Sequence, residues 1–348
     1  MNDIQLLKYL VSKNIGLDKM HYINDYNLKI TSLMLAARCG YARCVAILAK
    51  TKELNVKDDK GWTALMHAAS CGHHKCVAIL ATTKELTMRD VNQITALMHA
   101  ARSGHKKCVT ILSETKEVGM KDKYGWTALT TAAINGRTKC VSILMKTKDL
   151  GNADINGWTA LMHAARNEHE KSVIILSKTK EIGMKDSYGL TALMIAAMRE
   201  CDKCVSILAK TKEICIKHRN ENTALIYAIH YGNSKCVEIL SKTRELYIKN
   251  KDNWTVLSLA AFLGKYNCIK ILANASGIRN NSYELTMTLA ILNNNKSIKS
   301  DKRNKCNKLL LSLIKQLNIP DKEYTIIIET VSKSLYNNCV KMVEKKQQ

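Results

Sequence analysis

Apolar positions along this chain gather into two short helical stripes that return together at a fixed interval. In Thr63-Ala64-Leu65-Met66-His67-Ala68-Ala69 the Thr suits a helix N-cap, the Ala and Leu favour helix, and Gly72 sits where a left-handed residue would end it. This predicts a first helix of about two turns. After the Gly, Cys76, Val77, Ile79 and Leu80 fall on one apolar stripe with Lys75 on the opposite face, predicting a second helix to about Thr82. The Thr recurs at Thr31, Thr63, Thr95, Thr127, Thr159, Thr191, Thr223 and Thr255, each step being 32 residues. Thirteen residues after the Thr comes a Cys, at Cys44, Cys76, Cys108, Cys140, Cys204, Cys236 and Cys268, with Ser172 breaking the series. A repeat array is the implied architecture, because no single helix pair can bury its own apolar face, and paired alanines let neighbouring helices approach closely.

The ends depart from this register. Asp3 to Ser12, with Ile4, Leu6, Leu7, Leu10 and Val11, predicts a capping helix. Tyr26 stands where later copies carry Asp58, Asp90, Asp122, Asp154 and Asp186, an Asp column suited to accepting turn N–H groups. Glu168 and Glu200 replace the expected Gly, which costs about 1 kcal/mol at a left-handed position and predicts looser turns there. Beyond Thr255, residues 285–292 with 306–314, and 325–331 with 339–343, suggest two degenerate helix pairs, and the polar stretch 293–304 an exposed loop. The expected layout is a cap over 1–25, eight repeats over 26–280 and degenerate capping pairs over 281–348. It is an elongated all-α solenoid of about ten helix pairs plus an N-terminal half-pair.

Thr-Ala-Leu-Met-His-Ala-Ala-x-x-Gly-His, preceded by Asp-x-x-Gly-Trp and followed by Cys-Val-x-Ile-Leu, resembles the ankyrin repeat, and it recurs in register eight times. Three departures stand out: Ala64 and its equivalents replace the Pro expected at the first helical position, Met66 replaces a His, and the linker from Lys50 to Asp58 lacks Gly-Ala-Asp. Gly-Met-Lys-Asp linkers such as Gly183 to Asp186 are similar to the expanded ankyrin arrays of diplomonad protists. The resemblance implies a protein-binding scaffold whose contacts come from the turn before the Thr and the two residues after Ala-Ala. Those positions are Lys60, Trp62, Ser70, Val91, Ile94, Arg102, Tyr124, Trp126, Ile134, Ile155, Trp158, Arg166, Tyr188, Leu190, Met198, Arg199, His230 and Tyr231. All four Trp residues, Trp62, Trp126, Trp158 and Trp254, directly precede the Thr. They read either as exposed hot-spot side chains or as indoles packed on the next turn.

Composition supports helix stacking. The 348 residues are 46% hydrophobic but 5% aromatic, with a single Pro. No apolar run is long enough to span a membrane, and the N-terminus lacks a secretory pattern, so an intracellular, cytoplasmic protein is expected, with cytoskeletal or nuclear association left open, and the expected state is a monomer. Seven of 13 cysteines share one apolar helical position. Helices stacked about 8–10 Å apart exceed the roughly 7 Å that a disulfide bridges, so these read as core residues in a reducing compartment.

The candidate chemistry is sparse. Cys201-x2-Cys204-x10-Cys215-x2-His218 imitates a zinc spacing, but Cys204 opens a helix and Cys215 lies beyond its end. An intact helix holds them roughly 15 Å apart, too far for one metal. His67, His99 and His163 share a column that elsewhere holds Leu35, Thr131, Ile195, Tyr227 and Leu259, so they read as packing residues. No nucleophile elbow, phosphate loop or His-Glu-x-x-His occurs, so no enzyme, cofactor or metal is expected. The net charge of +24 is partly periodic, in Lys75, Lys107, Lys139, Lys171, Lys203 and Lys235 and in Lys52, Lys84, Lys116, Lys148, Lys180 and Lys212. Two readings stand beside the scaffold: an electrostatic binder of acidic surfaces or of nucleic acid without sequence preference, and a targeting subunit for an enzyme on another chain.

Overall fold

A computed structural model describes residues 21–23, 28–275, 288, 291 and 300–316. The proposed helix 3–12 and the pair 325–331 with 339–343 lie outside the described residues, and 285–292 is described only at Thr288 and Ile291. The chain divides into two compact units, Met1–Ser187 and Tyr188–Gln348. The first opens with an antiparallel hairpin, β1 His21–Ile23 and β2 Leu28–Ile30, paired His21 to Ile30. Five helix pairs follow: α1 Ser32–Cys39 with α2 Ala42–Leu48, α3 Ala64–Cys71 with α4 His74–Leu80, α5 Ala96–Ser103 with α6 Lys106–Leu112, α7 Ala128–Ile134 with α8 Thr138–Leu144, and α9 Ala160–Arg166 with α10 Glu170–Leu176. The second unit holds α11 Ala192–Met198, α12 Asp202–Leu208, α13 Ala224–Tyr231, α14 Ser234–Leu240, α15 Val256–Phe262, α16 Tyr266–Ala273 and α17 Ser300–Gln316.

Within each unit first helices stack on first helices and second on second, giving a two-layer all-α repeat solenoid. Thr63 is the N-cap of α3, its hydroxyl accepting from Met66 N–H at 3.4 Å. Thr31, Thr95, Thr127, Thr159 and Thr191 cap their helices in the same way. Leu65, Ala68 and Ala69 from the first helix and Cys76, Val77 and Leu80 from the second are fully buried, as are their equivalents. Burial pushes the Cys108 and Cys140 thiols up to about 11, as expected of small core residues. The left-handed turn is retained where Gly is missing: Glu168 has φ 60 and Glu200 φ 63, close to Gly136 at 64. The bonds from His169 N–H to the Ala164 carbonyl (2.9 Å) and from Cys201 N–H to the Ala196 carbonyl (3.2 Å) close both helix ends, which stop one residue earlier, on right-handed Asn167 and Arg199, than the helices capped by Gly40, Gly72 and Gly104. The loop over 293–304 needs correction, since Ser300 to Asn304 form the first turn of α17.

One periodic feature is invisible in the hydrophobic pattern. Glu53, Glu85, Glu117, Asp149, Glu181, Glu213 and Glu245, 32 residues apart in the linkers, are all at most 2% exposed. Glu85 illustrates their work: Oε2 accepts from Leu65 N–H at 2.7 Å at the start of α3, and Oε1 from Asn55 N–H at 3.2 Å in the preceding linker. Glu85 thus caps its own repeat and ties down its neighbour. Glu117, Asp149, Glu181 and Glu245 repeat the pattern. Desolvation pushes Glu85, Glu117, Asp149, Glu181 and Glu245 above the usual carboxylate range, against the pull of these N–H groups. The N–H of Ala64 also acts on Glu85, which gives a physical reason for Ala in place of the family's Pro: Pro would remove that donor.

Candidate functional site

The turns before Thr63, Thr95, Thr127 and Thr159 are tight hairpins built by the Asp column. Asp58 N–H donates to Trp62 O at 3.0 Å and Gly61 N–H to Asp58 O at 2.8 Å, while Asp58 Oδ1 accepts from Lys60 and Trp62 N–H. Gly61 is left-handed (φ 76), and a Cβ there would meet Val91 N at 2.9 Å, so successive hairpins touch through backbone. They are bonded in series within the first unit. Val91 donates to Lys60 O, Lys123 to Asn92 O, Ile155 to Tyr124 O, and Ser187 to Asn156 O at 3.0 Å. The remaining Asp58 oxygen meets His67 Nε2 at 3.0 Å, and Asp90–His99 and Asp154–His163 form the same pair at 3.2 and 2.9 Å. Burial alone would raise Asp58 and Asp90, but their His partners and turn N–H groups outweigh it and hold both below the ordinary range. Burial lowers His163 despite its Asp154 partner. The His column therefore fastens hairpin to helix.

This explains where the Trp side chains lie. Trp62 is half-buried between His67 (ring centroids 5.2 Å) and His99 (4.1 Å). Trp126 rests edge-on to His163 at 5.8 Å and donates Nε1–H to Asp154 Oδ2 at 3.2 Å. Trp158 lies against His163 at 5.2 Å, with the Arg166 guanidinium 5.2 Å from its ring. Trp62, Trp126 and Trp158 are thus each packed on one side and open on the other. Ile94 is also half-buried. The most exposed apolar side chains fall earlier in the turn, at Val91 (66%), Tyr124 (46%, its ring 5.2 Å from that of Trp126) and Ile155 (69%) on three successive tips, with Lys60, Arg102 and Arg166 also exposed. Ser70 and Ile134 are half-buried, and their carbonyls accept from His105 and His169 of the next repeat.

In the second unit Tyr188 is 65% exposed, Leu190 and Met198 are half-buried, and Arg199 is exposed as the C-cap of α11. His230 and Tyr231 are exposed together at 5.7 Å, whereas Trp254 is buried against Phe262. Among the described residues no group of three or more His, Cys, Asp or Glu is placed to hold a metal, and Cys204 sits in the core. None of the cysteines among them is joined in a disulfide, and no helix there is long and apolar enough to cross a membrane.

Stacked helix pairs with hairpins bonded in series along one edge define a repeat protein with a peripheral ridge. The chain belongs to the ankyrin-repeat family: the model for ankyrin repeats in three copies matches residues 1–90, 33–120, 97–186, 147–219, 173–249 and 212–284. Repeats of this family are generally protein–protein interaction modules. No curated protein matches the chain.

Proposed function

We propose that the protein is a non-catalytic scaffold that docks a protein partner on the hairpin ridge and adjoining first-helix ends of its first unit. The observation that carries this reading is the run of exposed Val91, Tyr124 and Ile155 on consecutive tips that are bonded in series, beside the half-open faces of Trp62, Trp126 and Trp158. An apolar centre held rigidly by hydrogen bonds and flanked by Arg102 and Arg166 has the composition of an interface core with a polar rim. In the second unit Tyr188, Leu190, Met198, Arg199, His230 and Tyr231 offer like chemistry. Largely buried cysteines with no disulfide among the described residues suit a monomer working in a reducing, intracellular compartment.

The test is affinity for a partner isolated by cross-linking in native extract. Tyr124→Ala and Ile155→Ala are expected to weaken binding by about 2 kcal/mol each, Ile155→Ala without lowering Tm and Tyr124→Ala with a small loss, because its ring packs on Trp126 at 5.2 Å. Trp126→Ala and Trp158→Ala should weaken it as much and also cost stability, since these rings pack on His163. Full affinity in all four folded variants, with loss on Lys116→Glu plus Lys148→Glu, would overturn the proposal.

A further inference from the structure

The linker carboxylates have a consequence for the outside of the molecule. Between residues 31 and 187 most Asp and Glu side chains are buried or half-buried in the linkers and turns, and the exposed carboxylates are Asp59, Glu114 and Glu168. The lysines beside them are left outside largely without anionic company, in two rows on the second-helix face. Lys75, Lys107, Lys139 and Lys171 each occupy the second position of α4, α6, α8 and α10, and all are exposed. Lys84, Lys116, Lys148 and Lys180 occupy the linker beyond the other end of the same helices, and all are exposed. Nine residues separate the two lysines of each repeat, from the second position of the helix to four residues past its end, so at about 1.5 Å per helical residue the rows lie on the order of 10–14 Å apart, with rungs about 8–10 Å apart along the stack.

The linker row is partly preorganised. A Cβ on Gly119 would lie 2.7 Å from Lys148 Cε, and one on Gly151 2.6 Å from Lys180 Cε. Their stems therefore lie along the preceding linker, which lowers the entropy cost of fixing the ammonium groups. Lys148 and Lys180 also attract the carboxyls of Asp149 and Glu181, and Glu114 with half-buried Glu170 interrupts the strip. Exposed aromatics are absent from this face among the described residues of the unit, where Tyr124 is at a hairpin tip, and the exposed apolar Ile47 and Ile174 are isolated. A single strand would want aromatic platforms, and an amphipathic peptide would want an apolar anchor. One extended acidic tail would need one row.

The geometry points to duplex nucleic acid, bound through the phosphates of both strands by the two lysine rows and without sequence preference. A row separation near the roughly 12 Å width of a major groove suits phosphates on its two sides, and Lys acts as a point charge rather than a reader of base edges. This surface is separate from the hairpin ridge, so the two proposals stand or fall independently.

The test is fluorescence anisotropy of the full chain with two DNA duplexes of unrelated sequence across a salt series. Both duplexes are expected to bind alike, and log K to fall with log salt by about 0.9 per lysine engaged. Lys84, Lys116, Lys148 and Lys180 changed together to Gln should flatten the slope by about 3.6, as should the Lys75, Lys107, Lys139 and Lys171 set. Each set should weaken binding at least about tenfold at low salt, while Tyr124→Ala leaves it unchanged. Circular dichroism checks that both Gln sets fold. No binding at low salt, slopes untouched by either set, or a clear sequence preference would overturn the proposal. So would a polyglutamate of matched charge or phosphatidylserine vesicles binding as tightly as the duplexes.

Discussion

At the residue scale, the left-handed positions hold correctable strain. Gln93, Glu168 and Glu200 adopt φ of 65, 60 and 63 at sites where other repeats use Gly. Replacement by Gly relieves a penalty of about 1 kcal/mol, partly offset by unfolded-state entropy. Urea unfolding of Glu168→Gly and Glu200→Gly is expected to show a net gain of several tenths of a kcal/mol or more. A loss at both positions would show that the Glu side chains contribute there.

The buried carboxyls give a pH signature with a defined sign. Folding raises Glu117, so its contribution is fully present below the unfolded pKa of about 4.3 and is lost as pH rises through the raised folded value. The stability difference between the parent and Glu117→Gln is therefore expected to move in the parent's favour as pH falls from 7 toward 4.3, measured by chemical unfolding at each pH. Asp58 and Asp90 act oppositely: folding lowers both, so their stabilisation is present above about 3.9 and lost as pH falls through their folded values.

At the scale of the element, the helix pairs were legible because Thr, Ala-Ala and Gly each answer a local need of a short helix. The hairpins were only partly legible. The Asp column announced a turn, but its bonding to the next turn uses backbone groups that carry no residue signature. The linker carboxylates were missed because Lys-Thr-Lys-Glu reads as a solvated charge run, and what buries Glu85 is a helix start 20 residues earlier. Their signal was the same 32-residue spacing that exposed the Thr column. The Trp column was ambiguous since the imidazoles packed against Trp62 come from two repeats.

The first helical position is where family pattern and this chain make opposite predictions. Pro at that position ordinarily preorganises a helix start, so Ala96→Pro would be expected to stabilise an ankyrin repeat. Here the Ala96 N–H is among the backbone groups that act on the buried Glu117, and Pro would remove it while the Leu97 and Thr87 bonds remain. Ala96→Pro is accordingly expected to lower stability by about 1–3 kcal/mol, read as a fall in the denaturant midpoint. An unchanged or raised midpoint would remove Ala96 from the capping account.

At the scale of the whole molecule, the two polar columns of each repeat divide the labour. Inward-facing carboxylates hold helix starts, linkers and hairpins, and the surface left behind is apolar at the hairpin tips and cationic on the second-helix side of the first unit. The central claim, that a protein partner docks on the hairpin ridge, is tested most directly by amide hydrogen exchange of the full chain with and without that partner. Added protection is expected in residues 90–94, 122–126 and 154–158 and at the C-terminal ends of α5, α7 and α9. Protection confined to α4, α6, α8 and α10, with those hairpins unchanged, would contradict it.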